Sequence, residues 1–186
     1  MKLFFIKIYR DLRKLKYNFL STNRNIKGNY KAHQPIVCNG SGKISFGQNV
    51  NFGVINSPSF YNTYAYLEAR GKEANISFGD NVNINNGFSI IAERSITVDS
   101  NVLIGYNCQI ADSDFHDLNV ANRMETDPFP KEVIIGKNVF VGNNVTILKG
   151  VVIGENTVVA NGSVVTKSFP KDVIIGGVPA KIIKEL

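Results

Sequence analysis

Residues 133–168 read VIIGKN VFVGNN VTILKG VVIGEN TVVANG SVVTKS, and an aliphatic residue returns at every sixth position. Ile135, Val141, Ile147, Ile153, Val159 and Val165 keep this phase without a gap. Two positions earlier runs a second series, Val133, Val139, Val145, Val151, Thr157 and Ser163, while Gly or Asn tends to follow the aliphatic residue. A period of six is neither the 3.6 of a helix nor the 2 of a strand. Fixed internal periods belong to repeat architectures, in which a unit buries its apolar side only by stacking on its neighbours. Six residues supply one short β-branched strand and one corner, and three such units make one triangular coil of a parallel β-helix. Gly and Asn suit the corners because both tolerate positive φ. An ordinary sheet of short strands would carry turn signals every 8 to 12 residues instead. The expected fold is therefore an all-β solenoid.

Upstream the same phase begins at Phe46 and Phe52, in ISFGQN VNFGVI. Residues 56–75 leave it, as an excursion that brings together Tyr61, Tyr64, Tyr66, Glu68 and Arg70; these would line a sugar-binding wall or cover the edge of the coil. Phe78, Ile84 and Ile90 resume the phase, a two-residue slip near Glu93 to Ser95 implies an enlarged corner, and Val98, Ile104 and Ile110 follow. The next position in phase is His116. There the chain leaves the coil again, over residues 117–132, before returning at Val133.

His116 stands in IADSDFHDLN, among Asp112, Asp114 and Asp117, where a coil gives way to a loop. An imidazole titrates near neutrality and can take a proton from a hydroxyl or amine without a metal. A neighbouring carboxylate or backbone carbonyl would fix its tautomer. The alternative is a surface histidine among aspartates. His33, the other histidine, lies in an irregular segment and is read as structural.

The first twenty residues, MKLFFIKIYRDLRKLKYNFL, wind as a basic amphipathic helix with Leu3, Ile6, Leu12, Leu15 and Phe19 inward and Lys7, Arg10 and Lys14 outward. The run is too short to span a bilayer and lacks the small-residue cleavage site of a signal peptide. We read it as packed on the end of the solenoid or on a partner subunit, with an anchor on anionic membrane as the alternative.

The 186 residues, 44% of them apolar, suit one domain with additions. Twenty-one Lys and Arg against fifteen Asp and Glu give a net charge of +6, compatible with phosphate-bearing ligands, anionic sugars, headgroups or nucleic acid. No nucleic-acid-binding module accompanies that charge, so no nucleic-acid partner is expected. Cys38 and Cys108 stand far apart in no metal-like spacing, which points to a reduced, cytoplasmic location. With two histidines in all, a metal-dependent hydratase is disfavoured and no metal site is expected.

The segment from Val133 to the end, and most specifically GSVVTKSFPKDVIIGGVPAKIIK, resembles the hexapeptide-repeat acetyltransferases, in the branch of the maltose, galactoside and nodulation-factor O-acetyltransferases. The resemblance covers Ile44 to Leu186. It implies a left-handed parallel β-helix, an exception to the right-handed crossover rule, with homotrimers, sites between neighbouring subunits and a short C-terminal helix after the GVPAK turn. The layout implied is an N-terminal helix and lead-in over 1–43, the acyltransferase β-helix over 44–168, and a terminal strand and helix over 169–186.

By the same resemblance His116 is the catalytic base, although DSDFHD stands where sugar acetyltransferases often have Gly-His-Pro; that departure is similar to relatives encoded with polysaccharide-biosynthesis genes. Asn85, Glu93 and Arg123 would contact the acceptor, Glu93 standing where an Asp is usual. Gly142, Asn143, Asn161, Thr166 and Lys167 would contact acetyl-CoA, with Lys181 and Lys184 near its phosphates. The activity implied is acetyl-CoA-dependent O-acetylation of a saccharide hydroxyl, with a surface-polysaccharide precursor as one acceptor, by direct transfer. An N-acetyltransferase of an amino-sugar nucleotide and a scaffold without chemistry are the alternatives. The serine acetyltransferase branch is disfavoured, because its Gly-rich, His-containing loop before the last coils is missing.

Overall fold

The computed structural model describes residues 1–186, which begin with helix α1 (Lys2–Leu20) and continue as six coils of three strands each. The first coil holds β1 (Ile26–Lys27), β2 (Tyr30–Ala32) and β3 (Ile36–Gly40); the second β4 (Lys43–Phe46), β5 (Val50–Phe52) and β6 (Ala65–Ala69). The third holds β7 (Asn75–Phe78), β8 (Asn83–Ile84) and β9 (Ser89–Ala92); the fourth β10 (Ser95–Val98), β11 (Leu103–Ile104) and β12 (Gln109–Ala111). The fifth holds β13 (Val133–Ile135), β14 (Phe140–Val141) and β15 (Thr146–Ile147); the sixth β16 (Val152–Ile153), β17 (Val158–Val159) and β18 (Val164–Val165). β19 (Val173–Gly177) and β20 (Ala180–Glu185) close the chain.

The first strands of the coils form one parallel sheet, the second strands another and the third strands a third. Register explains the six-residue phase. Phe78 pairs with Val98, Val98 with Ile135 and Ile135 with Ile153, so like positions stack in columns down the interior. Apart from His116, every member of the series from Phe46 to Val165 is at most 6% exposed. Each such side chain contributes about 1.5–3 kcal/mol relative to exposure, a return no isolated coil could collect. The second series is interior as well, including Thr157 and Ser163, whose hydroxyls donate to the carbonyls of Pro170 and Ala160.

Corners are stacked too. Asn49, Asn81 and Asn101 each take positive φ, and their amides form a ladder, Asn49 to Asn81 at 3.1 Å and Asn81 to Asn101 at 3.2 Å. Asn does here what Gly does elsewhere and adds a hydrogen bond between coils.

Four details depart from the sequence expectation. The lead-in read as irregular carries β1 to β3, a complete first coil. The excursion at 56–75 contains β6, which pairs with β3 and β9, so the chain is away from the coil only between β5 and β6. The expected C-terminal helix is a strand: Gly177 at φ 105° and a cis Val178–Pro179 bond reverse the chain, and β20 runs antiparallel along β19. An unpaired sheet edge offers backbone partners that a helix would leave unused.

The fourth departure concerns α1: Ile6 is half-buried and Lys7 exposed as expected, but the other apolar residues expected inward are exposed and Arg10, expected outward, turns in. Leu3, Leu12, Leu15 and Phe19 are 81%, 60%, 64% and 86% exposed, while Arg10, Arg13 and Tyr17 turn towards the solenoid. Arg13 donates to the carbonyls of Phe60 at 3.1 Å and Thr63 at 2.7 Å, Arg10 lies over the Phe60 ring, and Tyr17 meets Tyr64 with centroids 4.7 Å apart. These carbonyls belong to the connection between β5 and β6 and lack sheet partners, which is why guanidinium groups rather than leucines seat the helix.

Candidate active site

The third sheet has two edges, and connections leave from both. The edge towards the first sheet, after β12, throws out residues 112–132, with a 3-10 turn at Val120–Asn122. His116 is exposed on this loop. Its Nδ1 lies 3.1 Å from the carbonyl oxygen of Arg123. A carbonyl only accepts, so Nδ1 carries the proton and Nε2 keeps a free lone pair, the arrangement a general base needs.

Immediately before it, Phe115 adopts φ 62°, an unusual conformation for a bulky residue. Two groups brace it. The Arg70 guanidinium lies over the Phe115 ring at 4.5 Å, and the Phe115 backbone N–H donates at 2.9 Å to the hydroxyl of Ser113. Ser113 in turn donates at 2.6 Å to Glu93. Arg70 is held by Glu68 at 3.1 Å and by Glu93 at 3.2 Å, and Thr126 also donates to Glu93. The carboxylate of Glu93, expected to meet an acceptor, is 11% exposed and occupied within this brace. Arg123 supplies its carbonyl to His116, while its guanidinium donates to the carbonyl of Leu118 at 3.2 Å, within the same loop.

The loop is fastened at its base by two buried aspartates. Asp112 accepts from the N–H groups of Glu93 at 2.7 Å and Arg94 at 2.8 Å, which forms the enlarged corner that the slip implied. Burial pushes the Asp112 carboxyl up, against the pull of those hydrogen bonds. Asp127 accepts from Lys149 at 2.6 Å, Asp114 N–H at 2.9 Å, Ser113 at 3.2 Å and Phe129 N–H at 2.9 Å. Burial raises this carboxyl also, but the hydrogen bonds, Lys149 foremost, outweigh it and hold it at about 2. Lys149 is pushed down by burial and up, by more, by Asp114 and Asp127.

At the other edge, towards the second sheet, a groove of about 330 Å³ is lined by Asn83, Asn85, Leu103, Gly105, Phe140 and Asn143 among others. The Oδ1 of Asn85 accepts from the N–H of Asn86 at 2.7 Å. Asn143 accepts from Tyr106 N–H at 2.8 Å, and Asn161 from Asn143 N–H at 2.7 Å. Gly142 is pressed onto the next coil: a Cβ there would clash with Asn161, its N lying 2.8 Å away. Thr166 and Lys167 follow β18 at the same edge as the His116 loop and are exposed, Lys167 with its ammonium 5.7 Å from the Phe169 ring centroid. Lys181 and Lys184 are exposed on β20.

Apart from Lys181 and Lys184 on β20, the expected residues thus fall into two groups. His116, Glu93, Arg123, Thr166 and Lys167 lie along one edge of the third sheet, and Asn85, Gly142, Asn143 and Asn161 along the other. Sequence reasoning missed three supports. Arg70 was seen only as part of a crowded excursion. Lys149 shares its repeat position with Lys137, Asn143, Glu155, Asn161 and Lys167, so nothing in the repeat pattern sets it apart. Asn86, fully buried, donates to the carbonyls of Val54, Ser57 and Pro58 and so ties down the excursion before β6.

Three parallel sheets of stacked short strands, with a loop thrown from one edge, are the architecture of transferases built on hexapeptide repeats. The family model described as bacterial transferase hexapeptide (six repeats) matches residues 132–167. The Escherichia coli K12 protein WbbJ, named as a candidate lipopolysaccharide biosynthesis O-acetyl transferase, is 34% identical over 159 residues, 81% of this chain and 76% of its own. The galactoside O-acetyltransferase of Escherichia coli K12 is 34% identical over 113 residues, 61% of this chain and 55% of its own. This chain therefore spans little more than half the length of that relative. A crystal structure of a hexapeptide-repeat acetyltransferase from Vibrio cholerae, complexed with acetyl coenzyme A, superposes with a TM-score of 0.59 at 26% identity, covering 97% of this chain and 88% of that one. The chain belongs to the hexapeptide-repeat acetyltransferase family, and its fold is the left-handed parallel β-helix of that family.

Proposed function

We propose that this protein transfers the acetyl group of acetyl-CoA to a hydroxyl of a saccharide, with His116 as the general base. The observation that carries the reading is the contact between His116 Nδ1 and the Arg123 carbonyl, which leaves Nε2 basic on an exposed loop. Relatives named as O-acetyltransferases of saccharides and a neighbour complexed with acetyl-CoA support the donor and the acceptor class.

In this mechanism Nε2 takes the acceptor hydroxyl proton as the oxygen attacks the thioester carbonyl. A tetrahedral oxyanion forms, stabilised by a backbone N–H of the coil, and collapses with cleavage of the carbon–sulfur bond. The imidazolium returns its proton to the departing sulfur, which leaves as CoA-SH. No covalent enzyme intermediate is required.

The division of the expected residues between two edges of one sheet supports a site shared by neighbouring copies. The His116 loop of one copy would face the Asn85–Asn143 edge of the next, in a homotrimer. Acetyl-CoA would run along that seam past Gly142, Asn143, Asn161, Thr166 and Lys167, with Lys181 and Lys184 towards its phosphates. Asn85 and the loop around Glu93 and Arg123 would receive the acceptor. The setting is the cytoplasm, where acetyl-CoA is available, with peripheral membrane contact through α1.

The test is acetyl-CoA-dependent CoA release with a panel of sugars, glycosides and amino-sugar nucleotides, followed by mass spectrometry of the product. An ester product supports O-transfer; an amide moves the assignment to an N-acetyltransferase. A chain that neither turns over nor binds CoA is a scaffold.

A further inference from the structure

A helix that caps a solenoid normally turns apolar residues to the coil and polar residues to water. α1 does the opposite. Met1, Phe5, Ile8, Leu12, Leu15 and Phe19 recur at intervals of four and three, which sets them in one stripe, and their exposures are 99%, 60%, 39%, 60%, 64% and 86%. Phe4, at the margin of the stripe, is 64% exposed. At 3.6 residues per turn the stripe lies about 150° around the helix from Ile6, Arg10, Arg13 and Tyr17, which face the solenoid. It cannot be covered by the chain's own coil, because the guanidinium contacts of Arg13 to Phe60 and Thr63 fix the opposite face there.

Charge selects the occupant. α1 carries Lys2, Lys7, Arg10, Arg13, Lys14 and Lys16 against Asp11 alone, and Asp11 is already paired with Lys14 at 3.2 Å. Bringing copies of so basic a helix together would oppose like charges along its whole length. An anionic surface is attracted instead. Lys2, Lys7 and Lys16 are exposed and flank the stripe, with stems long enough to reach headgroups while Phe5, Leu12, Leu15 and Phe19 enter the acyl boundary. No helix of the chain is long and apolar enough to cross a membrane, so the contact is an in-plane one.

We infer that the outward stripe of α1 docks the protein on a bilayer bearing anionic headgroups. The inference stands independently of the reaction proposed above, since it rests on α1 alone.

Co-sedimentation of the full chain with phosphatidylcholine vesicles, with and without phosphatidylglycerol, tests it. Binding is expected with phosphatidylglycerol, weakening as salt rises. Leu12→Asp combined with Leu15→Asp should abolish binding while leaving circular dichroism and Tm unchanged, since both side chains are exposed. Lys2→Gln, Lys7→Gln and Lys16→Gln should each lower affinity about fivefold. Failure of the wild-type chain to bind phosphatidylglycerol vesicles would overturn the inference. So would a fall in assembly mass on Leu12→Asp/Leu15→Asp, measured by light scattering without lipid, which would assign the stripe to contacts between copies.

Discussion

Nδ1 of His116 and the carbonyl oxygen of Arg123 face each other at 3.1 Å across the loop that leaves the fourth coil, and this contact decides which ring nitrogen is free. The neutral ring is therefore expected as the Nδ1–H tautomer. In a His33→Gln background, which leaves His116 as the one histidine, the imidazole ¹⁵N shifts at high pH should report a protonated Nδ1 and a bare Nε2. The reverse assignment would place the lone pair on the wrong side of the ring for the proposed base.

Arg70 touches neither His116 nor the loop tip, yet it lies over Phe115 and is held by both Glu68 and Glu93. It acts as a positioning residue. Arg70→Ala should lower kcat by about ten- to a hundredfold through misplacement of the base, with KM for acetyl-CoA little changed. Arg70→Lys should recover only part of the loss, because an ammonium lacks the planar stacking surface and the fork that grips two carboxylates. A selective rise in KM for acetyl-CoA would assign Arg70 to donor binding instead.

The clamp between Asp127 and Lys149 makes loop stability acid-sensitive. The folded-state carboxyl of Asp127 is depressed, to about 2, so its stabilisation is complete above the ordinary carboxylate range and is lost as pH falls through about 2. A depression of this size corresponds to roughly 2 kcal/mol. Asp127→Asn should reproduce the loosened state at neutral pH, where trypsin cleavage after the exposed Arg123 should accelerate. Unchanged cleavage would show that the loop is held by its other contacts.

Gly142→Ala tests the close stacking of the coils. The added methyl group would press on Asn161 and come within 2.9 Å of the Val159 carbonyl oxygen. A loss of about 1–3 kcal/mol is expected, read from thermal or denaturant unfolding. The same change at Gly162, where an added Cβ meets nothing within 4 Å, costs only the strain of its φ of 71°.

The interior was legible because a six-residue period leaves one solution for burying aliphatic columns, and His116 stands out as a candidate because it interrupts such a column. Less visible were features set by contacts distant in sequence. The first coil lacks the phased aliphatic residues that mark later ones, so β1 to β3 read as irregular. AKIIKE suits a helix by local propensity, but the open edge of β19 claims it as a strand. The orientation of α1 is not legible from its apolar pattern, because the unpaired carbonyls of Phe60 and Thr63, distant in sequence, call for arginine at the packed face. Glu93 stands beside the His116 loop, but its partners Ser113, Thr126 and Arg70 come from three separate segments that no local pattern links.

CoA release from acetyl-CoA in the presence of a productive saccharide, compared between wild type and His116→Ala, decides whether His116 is the base of an acetyl transfer. In His116→Ala kcat should fall about 10²- to 10⁴-fold with CoA binding and Tm preserved, and the wild-type product should be an ester. Turnover in His116→Ala equal to that of the wild type would contradict that role.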